Sequence, residues 1–283
     1  MKNILSNLVL CSLLAVTAEE REPSVYLYPE VLETGKNLLP AIDSVKSWKT
    51  LIPAGGKREM GRKQGDPFDP AAAVLFIRSE TTSPIYWRAN CRLLPNRTYL
   101  FGGWVRNRNA RILFWFHGDY GKNKKHFNQR IYYLTGINDF LKPYLSPETL
   151  KKLVKGGSGW EICYKVFKTP EDIGSGFIPA FAVGSYFGTG YFEFGPAFVI
   201  DITGMQKKKG MVLLIRNSKP VKKVTLYEAV LRDRLWDKDF PDPVRDFRMT
   251  LPDTDFQVRY RLSVDYTDDT RSDFMVPQGT YNK

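Results

Sequence analysis

The clearest periodicity in the chain lies in residues 93–106, where Pro95 and Asn96 turn the chain into a run of alternating side chains. Tyr99, Phe101, Gly103 and Val105 fall on one side of a period-two strand, and Leu100, Gly102, Trp104 and Arg106 on the other. The first set reads as a core face, while the second places an aromatic beside a cation. Residues 160–170 alternate in the same way. In residues 111–117 the pattern turns Ile112, Phe114 and Phe116 inward and Trp115 and His117 outward.

Further strand-like runs cover 25–28, 72–78, 85–93, 177–183, 191–203, 210–216, 221–230 and 256–264. Their apolar stretches are short, Gly and Pro are spread throughout, and 14% of residues are aromatic. This predicts an all-β sandwich. One segment departs from it. Ser146 as N-cap, Pro147 at the first helical position, Glu148 in the first turn, Lys155 near the end and Gly156 beyond it predict a short helix at 147–155. That helix falls in an insertion between the strands ending near Phe116 and starting at Trp160. Such an insertion serves either a function or the cover of an open sheet edge.

The glycines of residues 184–190 read as a hairpin loop, since no helix follows them to cradle a phosphate. Residues 210–216 and 221–230 read as a hairpin extending the sandwich, joined by a turn at 217–220. The predicted organisation is a signal peptide at 1–18, a main β-domain at 19–203, a β-hairpin extension at 204–236, and an acidic, proline-bearing, largely irregular segment at 237–283.

The signal peptide rests on Lys2, the apolar run at 4–16 and the Val16-Thr17-Ala18 ending, which predicts cleavage after Ala18 and a secreted or periplasmic protein. Leu10 before Cys11 speaks against lipid attachment. No later run approaches the roughly 20 apolar residues of a membrane span. Export combined with a net charge of +12, from which cleavage removes only Lys2, favours anionic polymers over nucleic acid as partners. Cys91 and Cys163 remain after processing, either bridged or as two buried thiols.

Several short stretches resemble the CenC-type carbohydrate-binding module. They are Lys36-Asn37-Leu38-Leu39-Pro40, Trp48, Leu94 through Tyr99 with Trp104-Val105-Arg106, Trp160 with Phe167-Lys168-Thr169-Pro170, and Phe198-Val199-Ile200-Asp201. The resemblance covers residues 36–203. It implies a galactose-binding-domain-like jelly roll, a polysaccharide or glycan ligand, and action beside a separate polysaccharide-degrading enzyme. It further implies a concave glycan-contacting face with Trp104 and Arg106 next to Trp115 and His117, walled by Tyr120 and Tyr133 from the insertion. Cys91 and Cys163 would then lie on neighbouring antiparallel strands. The chain departs from the family in having Ala41-Ile42-Asp43-Ser44 after the Leu-Pro, and Ile202 after Asp201 in place of a second acid. These departures remove the basis for the family's structural calcium, so no cofactor or metal is expected.

No catalytic residue is nominated. His117 and His126 are the only histidines, and neither Gly-x-Ser-x-Gly nor His-Glu-x-x-His occurs. The expected function is non-catalytic recognition of a polysaccharide, with the positive charge favouring an anionic one. Two alternatives stand beside it. One is a jelly-roll polysaccharide lyase drawing on His117, Tyr120, Lys124 and His126, or a glycosidase using acids distant in sequence. The other is a structural domain for cell-surface adhesion or assembly.

Overall fold

The computed structural model describes residues 24–44, 46–51, 57–69, 71–81, 83–108, 110, 112–133, 159–185, 189–205, 209–216, 218–230 and 232–277. Residues 1–18 and the helix expected at 147–155 lie outside them. The α-helix among the described residues is a single turn, α1 (Val31–Thr34). None is long and apolar enough to cross a membrane.

Ten strands form a pair of five-stranded antiparallel sheets. One, here the groove sheet, runs β2 (Lys49–Leu51), β5 (Ile85–Asn90), β10 (Ala180–Ser185), β7 (Ile112–Tyr120) and β8 (Lys125–Tyr133) in spatial order. The other, the central sheet, runs β3 (Arg58–Gln64), β4 (Ala73–Ser79), β11 (Gly190–Asp201), β6 (Thr98–Arg108) and β9 (Trp160–Lys168). The chain crosses from sheet to sheet at nearly every connection, which gives the orders 5-10-7-8 and 4-11-6-9. This double Greek key is the jelly roll. Between the sheets lies a core of alternating inward residues, including Tyr99, Phe101, Val105, Phe114, Phe116, Phe181 and Phe192, all 2% exposed or less. The inward faces of β6 and β7 are thus those the periodicity predicts.

The remaining strands build a second unit. β1 (Ser24–Pro29), β12 (Lys209–Arg216) and β15 (Phe247–Asp255) form a three-stranded sheet with β12 in the middle. β14 (Arg234–Val244), β13 (Val221–Glu228), β16 (Tyr260–Tyr266) and β17 (Arg271–Val276) form a four-stranded one. The hairpin expected within 204–236 is therefore corrected, because β12 and β13 pair in different sheets. So is the irregular segment expected at 237–283, which carries four strands. Two of the acids that made this region look loop-like are paired, with Lys223 holding Asp237 and Asp239, each at 3.1 Å, and farther along Arg271 holds Asp273 at 3.0 Å. Pro241 and Pro243 sit on β14, an edge strand, where a missing N–H costs no ladder bond.

A second core joins the two units. Leu100, Trp104, Ile162, Tyr164, Phe198 and Ile200 on the outer face of the central sheet pack in one cluster with Tyr26, Leu27, Leu213, Val224 and Leu262. The outer face of the central sheet is covered over this half, while that of the groove sheet carries no such layer among the described residues.

Candidate functional site

The uncovered outer face of the groove sheet is set by strand register. β10 occupies the middle and turns Phe181 and Val183 into the core, so Ala180, Ala182 and Gly184 face outward. Their partners on β5 are Asn90, Arg88 and Tyr86, and those on β7 are His117, Trp115 and Leu113. Small residues on the central strand and large ones on its neighbours make a trough. A shallow recess, open to solvent, is lined by Tyr86, Leu113, Trp115, Ala182, Gly184 and Ser185. Its glycine is required by close approach: a Cβ on Gly184 would fall 2.1 Å from the Ile85 carbonyl oxygen and 2.3 Å from the Tyr86 Cβ.

The Tyr86 and Trp115 rings meet edge to face across this floor, with centroids 6.5 Å apart. Trp115 is held from three further directions. His117 stacks on it at 3.8 Å, Arg130 lies over its ring at 5.3 Å, and its Nε1 donates to Asn128 Oδ1 at 2.8 Å. Arg130 in turn donates through Nε to the same Asn128 oxygen at 2.9 Å and through Nη1 to the Tyr132 hydroxyl at 3.1 Å. One network thus fixes the aromatic wall and the polar groups beside it, the combination by which a surface reads both the apolar and the hydroxyl faces of a ligand.

The charge on this face is one-sided. Across all five strands the only acidic residue is Asp119, which is bonded to His126 at 2.8 Å. Lys49 and Arg88 pair across β2 and β5, and Arg130 stands on the far side of the trough. Burial, and then the charges of His126, Arg88 and Arg130, hold the His117 imidazole below its ordinary pKa, with Asp119 opposing. His117 Nε2 is shielded from solvent and meets no hydrogen-bond partner among the described residues.

Of the six residues expected at a ligand face, Trp115 and His117 lie here together. The other four are corrected. Trp104 is 2% exposed and sealed in the second core by Tyr26, Phe68 and Tyr28 at 5.1, 5.0 and 5.9 Å. Its strand and that of Trp115 belong to different sheets, so their outer faces point away from each other. Arg106 donates to Glu193 through Nε at 2.9 Å and Nη2 at 2.5 Å and lies over Trp160 at 5.2 Å. Burial pushes the Glu193 carboxyl up, but Lys63, Tyr191 and Arg106 outweigh it and hold the group below its ordinary pKa. Tyr120 packs on Phe177 at the end of the β7–β8 hairpin, with rings 5.7 Å apart. Tyr133 is buried in the jelly-roll core and donates to Glu161.

The cysteines need the same correction. Cys163 lies on β9 of the central sheet, whereas Cys91 follows β5 of the groove sheet, and both are buried free thiols. Residues 184–190 likewise do not join a hairpin, because β10 and β11 belong to opposite sheets. Among the described residues no group of three or more His, Cys, Asp or Glu side chains could hold a metal. Asp201 caps the Thr203 amide at 2.8 Å, and Asn37 Oδ1 accepts the Val199 amide at 3.0 Å, so both stitch backbone together. Lys124 and His126 stand exposed at the hairpin tip.

Tyr86, Arg88, Asn128, Arg130, Ala182 and Gly184 carry no signal as site residues in the pattern alone, whereas Tyr132 is a candidate wall beside Tyr120 and Tyr133. Two of their strands do carry a signal. Residues 85–90 alternate as cleanly as 99–106, and Phe181-Ala182-Val183-Gly184 alternates large with small, as a strand does when it packs on one face and leaves a trough on the other.

No protein-family profile matches the chain, and no curated protein sequence does. Among solved structures it is similar to the enzymatically active domain of bacteriophage CBA120 tailspike protein 4, at 9% identity and TM-score 0.40, over 59% of this chain but only 21% of that one. It is also similar to the C-terminal family 22 carbohydrate-binding module of Clostridium thermocellum Xyn10B, at 14% identity and TM-score 0.39 over 58% and 89% of the two chains. A third is TmCBM61, solved with β-1,4-galactotriose, at 10% identity and TM-score 0.37 over 59% and 99%. The jelly-roll assignment rests on strand order and not on these likenesses.

Proposed function

We propose that the protein is a secreted, non-catalytic polysaccharide-binding protein whose ligand lies along the trough over β10. The observation that carries this reading is the floor of Ala182 and Gly184 between the Tyr86 and Trp115 rings, with Arg88, Asn128 and Arg130 on the same face. The recess is open to solvent and does not enclose a ligand, which suits a polymer lying across the sheet. With Lys49, Arg88 and Arg130 on the face and Asp119 engaged by His126, the charge favours an acidic polymer over a neutral one. The apolar run at 4–16 and the ending at Ala18 support export.

Affinity electrophoresis through gels holding neutral, carboxylated and sulfated polysaccharides tests this reading, with Trp115→Ala as the comparison. Retention without product, lost in Trp115→Ala, is the expected result. Release of unsaturated oligosaccharides would identify a lyase instead. A protein retained by none of the polymers would be a structural one.

A further inference from the structure

Three side chains on the outward face have obvious work: Tyr86 and Trp115 wall the recess, and Arg130 is tied to Asn128 and Tyr132. His117 has none of this kind. It stands at the register position of Ala180 on the central strand and of Asn128 on β8, stacked on Trp115. The charged or titratable groups that act on it are Arg88 from β5, Asp119 from its own strand, and His126 and Arg130 from β8. Three of these are basic, and the one acid is bonded to His126 at 2.8 Å. Its Nε2 finds no acceptor among the described residues. An imidazolium at this position therefore meets like charge on both flanks and, among the described residues, no acid of its own, since Asp119 is bonded to His126; this and burial hold the free groove's histidine below its ordinary pKa.

We propose that His117 is the specificity-determining residue of the groove, taking up a proton when an acidic sugar binds, so that the surface separates carboxylated or sulfated units from neutral ones by charge. The inference rests on the polysaccharide-binding reading above and adds the ligand's charge class and a coupled proton. An anion placed beside Arg88 and Arg130 cancels the repulsion that excludes the proton and supplies the missing counterion. Linkage then runs both ways: the anion raises the proton affinity of His117, and the proton raises the affinity for the anion. The sign follows from the direction of the shift. Below the pKa of the free groove the imidazole is charged with or without ligand, and affinity no longer changes with pH. Between that value and the higher one of the liganded groove, affinity falls as pH rises, by at most about tenfold per pH unit for one proton. A neutral glycan gives no such slope.

Calorimetric titration of the full processed chain with polygalacturonate, dextran sulfate and a neutral xylan tests this, between pH 5 and 8 and in buffers of different ionisation enthalpy. The expected result is net proton uptake with the two polyanions and none with xylan. His117→Gln should remove the proton uptake and flatten the pH slope, while His126→Gln retains both. The histidine ring signals, followed by NMR, provide an independent reading, because the His117 titration should move to higher pH when either polyanion is added. Binding of a polyanion without proton uptake, or a slope that survives His117→Gln, overturns the inference and leaves polysaccharide binding intact. So does binding of xylan alone. Failure of all three polymers to bind overturns both readings.

Discussion

Tyr26 stands edge-on to Trp104 with ring centroids 5.1 Å apart, and Phe68 closes on the same indole at 5.0 Å. The contact joins β1 to the outer face of the jelly roll's central sheet. It gives two tryptophans from one sequence pattern opposite roles. Trp104→Ala should lower the unfolding free energy by about 3–5 kcal/mol, the usual result of emptying a buried aromatic site. Trp115→Ala should leave stability within about 1 kcal/mol and weaken retention on polysaccharide by roughly thirtyfold, or about 2 kcal/mol. Urea unfolding and affinity gels on the two variants check the contrast.

Gly184 lies where β5 presses against β10, so a methyl group there must displace either the Ile85 carbonyl or Tyr86. Gly184→Ala should cost about 1–3 kcal/mol through overpacking. Because the displaced residue is a wall of the recess, binding should fall with it. Ser185→Ala, at the recess end on the same strand, should cost less in both measurements.

Glu161 gives the fold a pH dependence. Burial raises its carboxyl to about 7, against an ordinary value of 4.5, even though Tyr133 donates to it. A raised carboxyl favours the folded state while it is protonated. That contribution is complete below pH 4.5 and is lost as pH rises toward 7, after which it stays constant. Glu161→Gln keeps an acceptor for Tyr133 and removes the titration. It should therefore be more stable than the parent at pH 8, with a shallower stability profile between pH 4.5 and 7, as thermal melts across that range would reveal.

The thiols should be inert in the native protein. Burial pushes Cys91 up to about 12 and Cys163 well above the ordinary thiol range, so neither offers a thiolate at neutral pH. A thiol reagent should find none in the folded chain lacking residues 1–18. After denaturation without reductant it should label both.

Alternation told which residues of a strand share a face, and Tyr99, Phe101, Phe114 and Phe116 are all in the core it predicted. It could not tell which sheet a strand joins. Trp104 and Trp115 have the same pattern, yet β6 and β7 lie in opposite sheets, and the cover over Trp104 comes from Tyr26, some 80 residues away in sequence. Half of the site was hidden for a related reason. Ala182 and Gly184 matter through what they lack, and only the flanking Tyr86 and Trp115, brought together by pairing on either side of β10, turn two small residues into a floor. At 237–255 the sequence misled because Asp and Pro were read by composition. Paired with Lys223, or placed on an edge, they belong to strands.

β1 pairs with β12 along its whole length, from Ser24 against Arg216 to Pro29 against Met211, and the entire jelly roll is threaded between those two strands. The jelly roll is thus an insert held at both ends by adjacent strands of its neighbour, and not a bead on a tether. A force applied to the jelly roll reaches the second unit through two anchorages at once, the paired strands β1 and β12, and through the core the units share. For the same reason a chain ended at residue 203 would keep β1 but lack β12, the strand it pairs with.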